Sequence, residues 1–181
     1  MRRDNEELAD VVVGTIAGVI ATAAMTWSAA YMFRRLPEEE RYPLPPREIT
    51  ESVMTPAAPQ SSTLAWSVIA HSLFGAVCGG LSRLFPVASR WASSNIGYAF
   101  AIWTSSYFGW VPGFHILRPA NFHPPRRNLL MIGAHAVWGL SLWASSKLLS
   151  YSLEPLRAGP IRDAYRIEDQ QSRRRSAAAL P

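Results

Sequence analysis

The sequence predicts an all-α polytopic membrane protein with four transmembrane helices arranged as two repeated hairpins. Three observations predict it: four long windows carry no formal charge, basic residues close three of them, and a histidine motif recurs in the second and fourth. A mean hydropathy of +0.02 over the whole chain hides this segregation, because charges crowd between the apolar windows. A helix crossing a ~30 Å hydrocarbon layer needs about 20 apolar residues at ~1.5 Å each, with every backbone polar group satisfied within the segment. Four such windows in succession, punctuated by arginine and lysine, exclude a soluble catalytic domain as the expected architecture.

Residues 1–10 form an N-terminal tail in which Asp4, Glu6, Glu7 and Asp10 dilute the positive charge that a cleavable signal needs, so the first span is expected to be retained. That span, 11–33, ends at Arg34 and Arg35. The second, 64–82, holds His71 and the single cysteine, Cys78, before Arg83. One cysteine permits no intrachain disulfide, and Cys78 reads as a small packing residue. The third span, 96–114, carries Pro112 near its end, which is expected to kink or stop the helix. The fourth, 129–146, contains His135 and closes at Lys147. Trp27, Trp66, Trp110 and Trp143 fall near span ends, where indole rings favour the interface; Trp103 and Trp138 fall deeper and are expected to pack between helices.

The 11–149 domain is therefore the transmembrane part, and 150–181 is a polar basic tail carrying Arg173, Arg174 and Arg175. The formal charge of +5 points to anionic lipid as partner and not to nucleic acid, because most arginines stand beside a predicted membrane boundary. Four spans set both termini on one side, and a small excess of basic residues on that side orients the termini toward the cytoplasm.

The first loop opens on Glu38 to Glu40, passes through Pro43, Pro45 and Pro46, and then reads from Arg47 to Thr55 either as a short surface helix or as irregular chain. Arg47, and Arg126 and Arg127 of the third loop, are expected to contact lipid headgroups or loop backbone. Pro45-Pro46-Arg47 recurs as Pro124-Pro125-Arg126, and Ala70-His71-Ser72-Leu73-Phe74-Gly75 recurs as Ala134-His135-Ala136-Val137-Trp138-Gly139. Two copies of a helix, proline-arginine loop and histidine helix account for both. Two-span copies share one orientation, so a pseudo-twofold axis along the membrane normal would relate them.

His71 and His135 sit seven and six residues into their windows, each about 10 Å deep from the same face. Glycine follows each by four residues, at Gly75 and Gly139, and Gly79 extends the first stripe; Gly14, Gly18 and Ala21 offer a matching one. Small residues let backbones approach, so these stripes are expected to face the bundle interior. Ionisable residues in a membrane point to function, and three roles compete for the pair. The simplest is a hydrogen bond from each neutral imidazole to a neighbouring helix, for instance to Thr26 or Ser106. The second is axial ligation of a haem or other tetrapyrrole, the third a proton or solute pathway. His115 and His123 lie in a third loop without carboxylates and read as loop or headgroup contacts, so no metal site is expected. Nucleophile-elbow, phosphate-loop, dinucleotide and HExxH patterns are missing from the sequence, and an enzyme is not expected.

The glycine-rich first helix, Gly14 to Trp27, the Leu44-Pro45-Pro46-Arg47 loop, the two Ala-His-x-x-aromatic-Gly motifs and Arg126-Arg127-Asn128 resemble the YagU-like bacterial four-helix membrane proteins. The resemblance spans about residues 11–149. It implies a bacterial inner membrane and, for some members, a link to stress or acid tolerance; it brings no catalytic residues. The function expected from the sequence is that of an accessory subunit of a membrane complex or a homo-oligomer. Haem or pigment binding through His71 and His135, and a small transporter or stress-tolerance protein, are the alternatives.

Overall fold

The computed structural model describes residues 2–54, 59–85 and 91–178, with side chains described over 6–54, 59–85 and 91–153. Among the described residues the chain is all-helical, without strands. It divides into a body, 1–147, and a C-terminal unit, 148–181, the latter helical through Ala178. The side chains of Arg173 to Arg175 lie outside the described residues.

Helix α1 spans Arg2–Phe33, α2 spans Pro45–Val53, α3 spans Gln60–Ser82, α4 spans Ala92–Ser105, and α5 spans Pro125–Ala178. Three segments are long and apolar enough to cross a membrane: Glu6–Phe33, Gln60–Ser82 and Pro125–Leu153. Each outruns the apolar window read from the sequence. Helical hydrogen bonding does not stop at the first polar residue, and Pro125 suits a first turn, whose N–H groups have no intrahelical acceptor.

The region of the expected third span is helical but broken. After α4 the chain makes a π-type stretch, Ser106–Trp110, then a helical turn, Val111–Gly113. The cause is Pro112, which lacks an N–H and cannot bond the carbonyl four residues back; Val111 N–H instead reaches back five residues, to Ser106 O. The turn closes with His115 at φ 57°, while His115 N–H donates to Pro112 O at 2.9 Å and Ile116 N–H to Val111 O at 3.1 Å. This is a Schellman-type ending with histidine where glycine is usual.

The body is apolar outside and finely polar inside. Leu64, Val68, Leu73 and Val77 of α3, and Val12, Ile16 and Val19 of α1, are exposed, as is Trp27 at 74%. Buried positions include Thr22, Ser67, Ser82, Asn95 and Ser145. Most of these side chains bond backbone within the bundle: Thr22 Oγ1 donates to Gly18 O (2.8 Å), Ser82 Oγ to Gly79 O (2.6 Å) and Ser145 Oγ to Ser141 O (2.6 Å), and the half-buried Tyr98 OH donates to Cys78 O (2.8 Å). An aqueous surroundings would disfavour such an outer face, whereas hydrocarbon favours it.

Backbone proximity makes the interior. A side chain at Gly18 would collide with the Gly75 carbonyl, one at Gly79 with Gly14 O, and one at Gly75 with Thr22 Oγ1, so α1 and α3 touch along these glycines. A Cβ at Gly139 would lie 2.6 Å from Asn95 O and 2.7 Å from Ile96 Cα, bringing α5 onto α4. The first stripe continues on α1 through Thr22, four residues past Gly18, which faces Gly75, and Ala21 beside it is fully buried.

Candidate functional site

His71 on α3 and His135 on α5 line one cavity of about 260 Å³. Its walls are mostly apolar and aromatic, with Met25, Phe74, Trp103, Trp110 and Met131 prominent; Thr50, Ser106 and Tyr107 supply hydroxyls. The two histidines also border a smaller recess with Thr22, Cys78 and Trp138. Pro45, Pro46, Ile49 and Thr50 of α2 line the larger cavity, so this short helix is its cover. Of the two conformations open to that stretch of loop, the structure has the helix, starting two residues earlier than Arg47; Thr55 lies outside the described residues.

The imidazoles do not bond the neighbouring hydroxyls expected from the sequence. His135 Nδ1 is 2.7 Å from the Met131 carbonyl, in its own helix. Thr26 donates to Thr22 O (2.7 Å), and Ser106 Oγ accepts from Trp110 Nε1 (3.1 Å). His71 makes no side-chain hydrogen bond among the described residues. A carbonyl can only accept, so Nδ1 of His135 carries the proton. With no carboxylate in the cavity wall, an imidazolium would be an uncompensated charge, and neutral His135 therefore keeps a bare lone pair on Nε2.

The cover is fastened from the third loop. Arg127, only 3% exposed, donates to the carbonyls of Glu40 (3.1 Å), Tyr42 (2.7 Å) and Pro43 (2.8 Å). Of the two roles expected for this arginine, these partners place it on loop backbone. The proline run explains the acceptors: residues before and within it have few N–H groups with which to pair, and their carbonyls remain for Arg127. Tyr42 OH and His123 Nδ1 are 2.7 Å apart, and Asn128 Nδ2 donates to Ala120 O at 2.8 Å. Arg47 pairs with Glu51 at 2.6 Å, while Arg126 is exposed.

Electrostatics around the clasp follow burial. Glu48 has its carboxyl pushed above the usual range by burial, which the nearby Arg127 only partly offsets. Burial lowers His123, opposed by its contact with the Arg118 carbonyl. Burial likewise raises Tyr42 against the pull of Arg127. Among the described residues no three histidine, cysteine or carboxylate groups come together as metal ligands.

Sequence reasoning missed Tyr42, Tyr107 and Trp103 as partners of the site. Tyr42 had a usable signal, its place at the head of the proline run opposite the Arg126-Arg127 pair. Tyr107 had none, because it lies within the irregular 106–110 stretch, and Trp103 carried only its depth in the span.

Comparison with protein-family models, curated proteins and solved structures returned no match to this chain.

Proposed function

We propose that the chain is a four-span membrane protein of two duplicated hairpins that binds a small, mostly apolar ligand between His71 and His135. The cavity shared by the two histidines carries this reading. A concave, aromatic-walled space with a few convergent polar groups is the usual form of a small-molecule site, and 260 Å³ lies at the small end of such sites. That volume favours a one- or two-ring ligand over a tetrapyrrole.

The duplicated hairpin has support in pairing as well as sequence. Gly75, four residues after His71, packs on the preceding long helix, α1; Gly139, four after His135, packs on the preceding long helix, α4. Trp138 Nε1 donates to Thr22 Oγ1 at 3.0 Å and Tyr98 OH to Cys78 O at 2.8 Å, so the second half bonds each long helix of the first, α1 and α3, through an aromatic side chain. The α4 region supplies the fourth crossing as a bulged helix, with its 106–110 break on the cavity wall.

The test is saturable binding of naphthalene to the purified protein in nanodiscs, followed by quenching of tryptophan fluorescence. Ala70→Trp, which fills the cavity, should weaken binding at least about tenfold. Equal, unsaturable uptake by both proteins would mean partition into lipid and would refute the reading.

A further inference from the structure

Resting on that reading, we infer that the ligand's head is a hydroxyl on an aromatic ring, a phenol or hydroquinone, held between His135 and Trp103. His135 and Trp103 both line the cavity, and a ring nitrogen of each lacks one half of a hydrogen bond. His135 has its Nδ1 turned back onto the Met131 carbonyl at 2.7 Å, which leaves Nε2 as an acceptor only. Trp103 carries a buried indole Nε1–H with no acceptor among the described residues, and indole nitrogen can only donate. The two rings are neighbours, with centroids 6.2 Å apart at 51°.

A hydroxyl is the small group that donates one hydrogen bond and accepts another. A carbonyl would satisfy Trp103 and leave His135 unpaired; an ammonium would satisfy His135 and bring an uncompensated charge into the wall. An ether would do no better than a carbonyl. The rest of the wall selects the body of the ligand: Phe74 and Trp110, whose rings lie 6.2 Å apart, offer aromatic faces, and the available volume suits one or two fused rings. His71, without a hydrogen bond of its own and free to adopt either tautomer, serves a second oxygen across the ring, which a hydroquinone has and a simple phenol lacks.

Sites built to hydrogen-bond a hydroxyl reject the analogue lacking it, because their own polar groups then stay unpaired. The probes are therefore 2-naphthol, 2-methoxynaphthalene and naphthalene, titrated into the full chain in nanodiscs, with silver ion as a fourth. We expect 2-naphthol to bind at least about tenfold tighter than its methyl ether, a preference that His135→Phe reduces to near unity while naphthalene binding persists. Trp103→Phe should also reduce the preference, giving a second readout if His135→Phe fails to fold. Equal binding of 2-naphthol and its ether would overturn the hydroxyl assignment, a bound water then satisfying the two groups, yet would leave the apolar site standing. Binding of none of the aromatics to the wild-type protein would remove both. Silver binding lost in His135→Phe, with no preference for 2-naphthol, would overturn the assignment in favour of a soft metal ion.

Discussion

The guanidinium of Arg127 lies 3.5 Å over the ring of Tyr42 while its nitrogens bond three carbonyls of the same loop. A cation–π contact and three charge-assisted hydrogen bonds thus converge on one buried side chain. The loop they hold leads directly into α2, the cover of the histidine cavity.

Arg127→Ala should destabilise the protein by on the order of 2–4 kcal/mol, since it leaves partly dry carbonyls without a donor. Arg127→Lys, a point charge that cannot span three acceptors, should recover about half. Thermal unfolding in detergent checks the ranking, and limited proteolysis within the first loop should accelerate in the same order. Cleavage unchanged in Arg127→Ala would disconnect the arginine from the cover.

The glycine contacts make a paired prediction. Gly18→Ala would drive a methyl into the Gly75 carbonyl, so a loss above about 2 kcal/mol is expected in the same unfolding assay. Gly97 in α4 has nothing within 4 Å of its added Cβ. Gly97→Ala should be neutral or stabilising by up to ~1 kcal/mol through helix propensity. Similar losses at both positions would show that propensity, and not backbone contact, governs these sites.

His115 offers a gain. At φ 57° a histidine side chain strains the left-handed turn that a glycine would adopt freely, although glycine also costs more to order from the unfolded chain. The balance favours His115→Gly by on the order of 0.5 kcal/mol, visible as a small rise in Tm. A fall would show that the cost of ordering glycine outweighs the strain relieved.

Two clasp residues set opposing pH dependences. Glu48, raised by burial, adds stability below its ordinary value near 4.5 that is lost as pH climbs through its higher folded value. His123, lowered by burial, adds stability above 6.5 that is lost as pH falls through its lower folded value. Stability curves should therefore flatten just above pH 4.5 in Glu48→Gln and just below pH 6.5 in His123→Asn. Parallel curves for wild type and His123→Asn across pH 5–7 would contradict the second assignment.

The helices were legible because hydrophobicity and charge segregate along the chain, and the histidine pair because its motif repeats. The glycine contacts followed from spacing: four-residue intervals at Gly14, Gly18, Gly75 and Gly79 define stripes regardless of tertiary detail. What could not be read was anything set by long-range pairing. Nothing local to Arg127 distinguishes it from its exposed neighbour Arg126; only the distant carbonyls of the first loop do. Nor does spacing reveal that His135 spends one nitrogen on its own helix, a choice of rotamer and not of sequence.

The most direct test of the two-hairpin account is topology, since three crossings would set the termini on opposite sides and four set them together. Single cysteines at Asn5, Glu39, Ser89, Asn121 and Ser172, in a Cys78→Ala background, can be labelled from either side of sealed membranes with an impermeant maleimide. With four crossings, Asn5, Ser89 and Ser172 label from one side, and Glu39 and Asn121 from the other. Labelling of Ser172 from the side of Glu39 would contradict that arrangement, and would leave the bulged α4 region as a helix that does not cross.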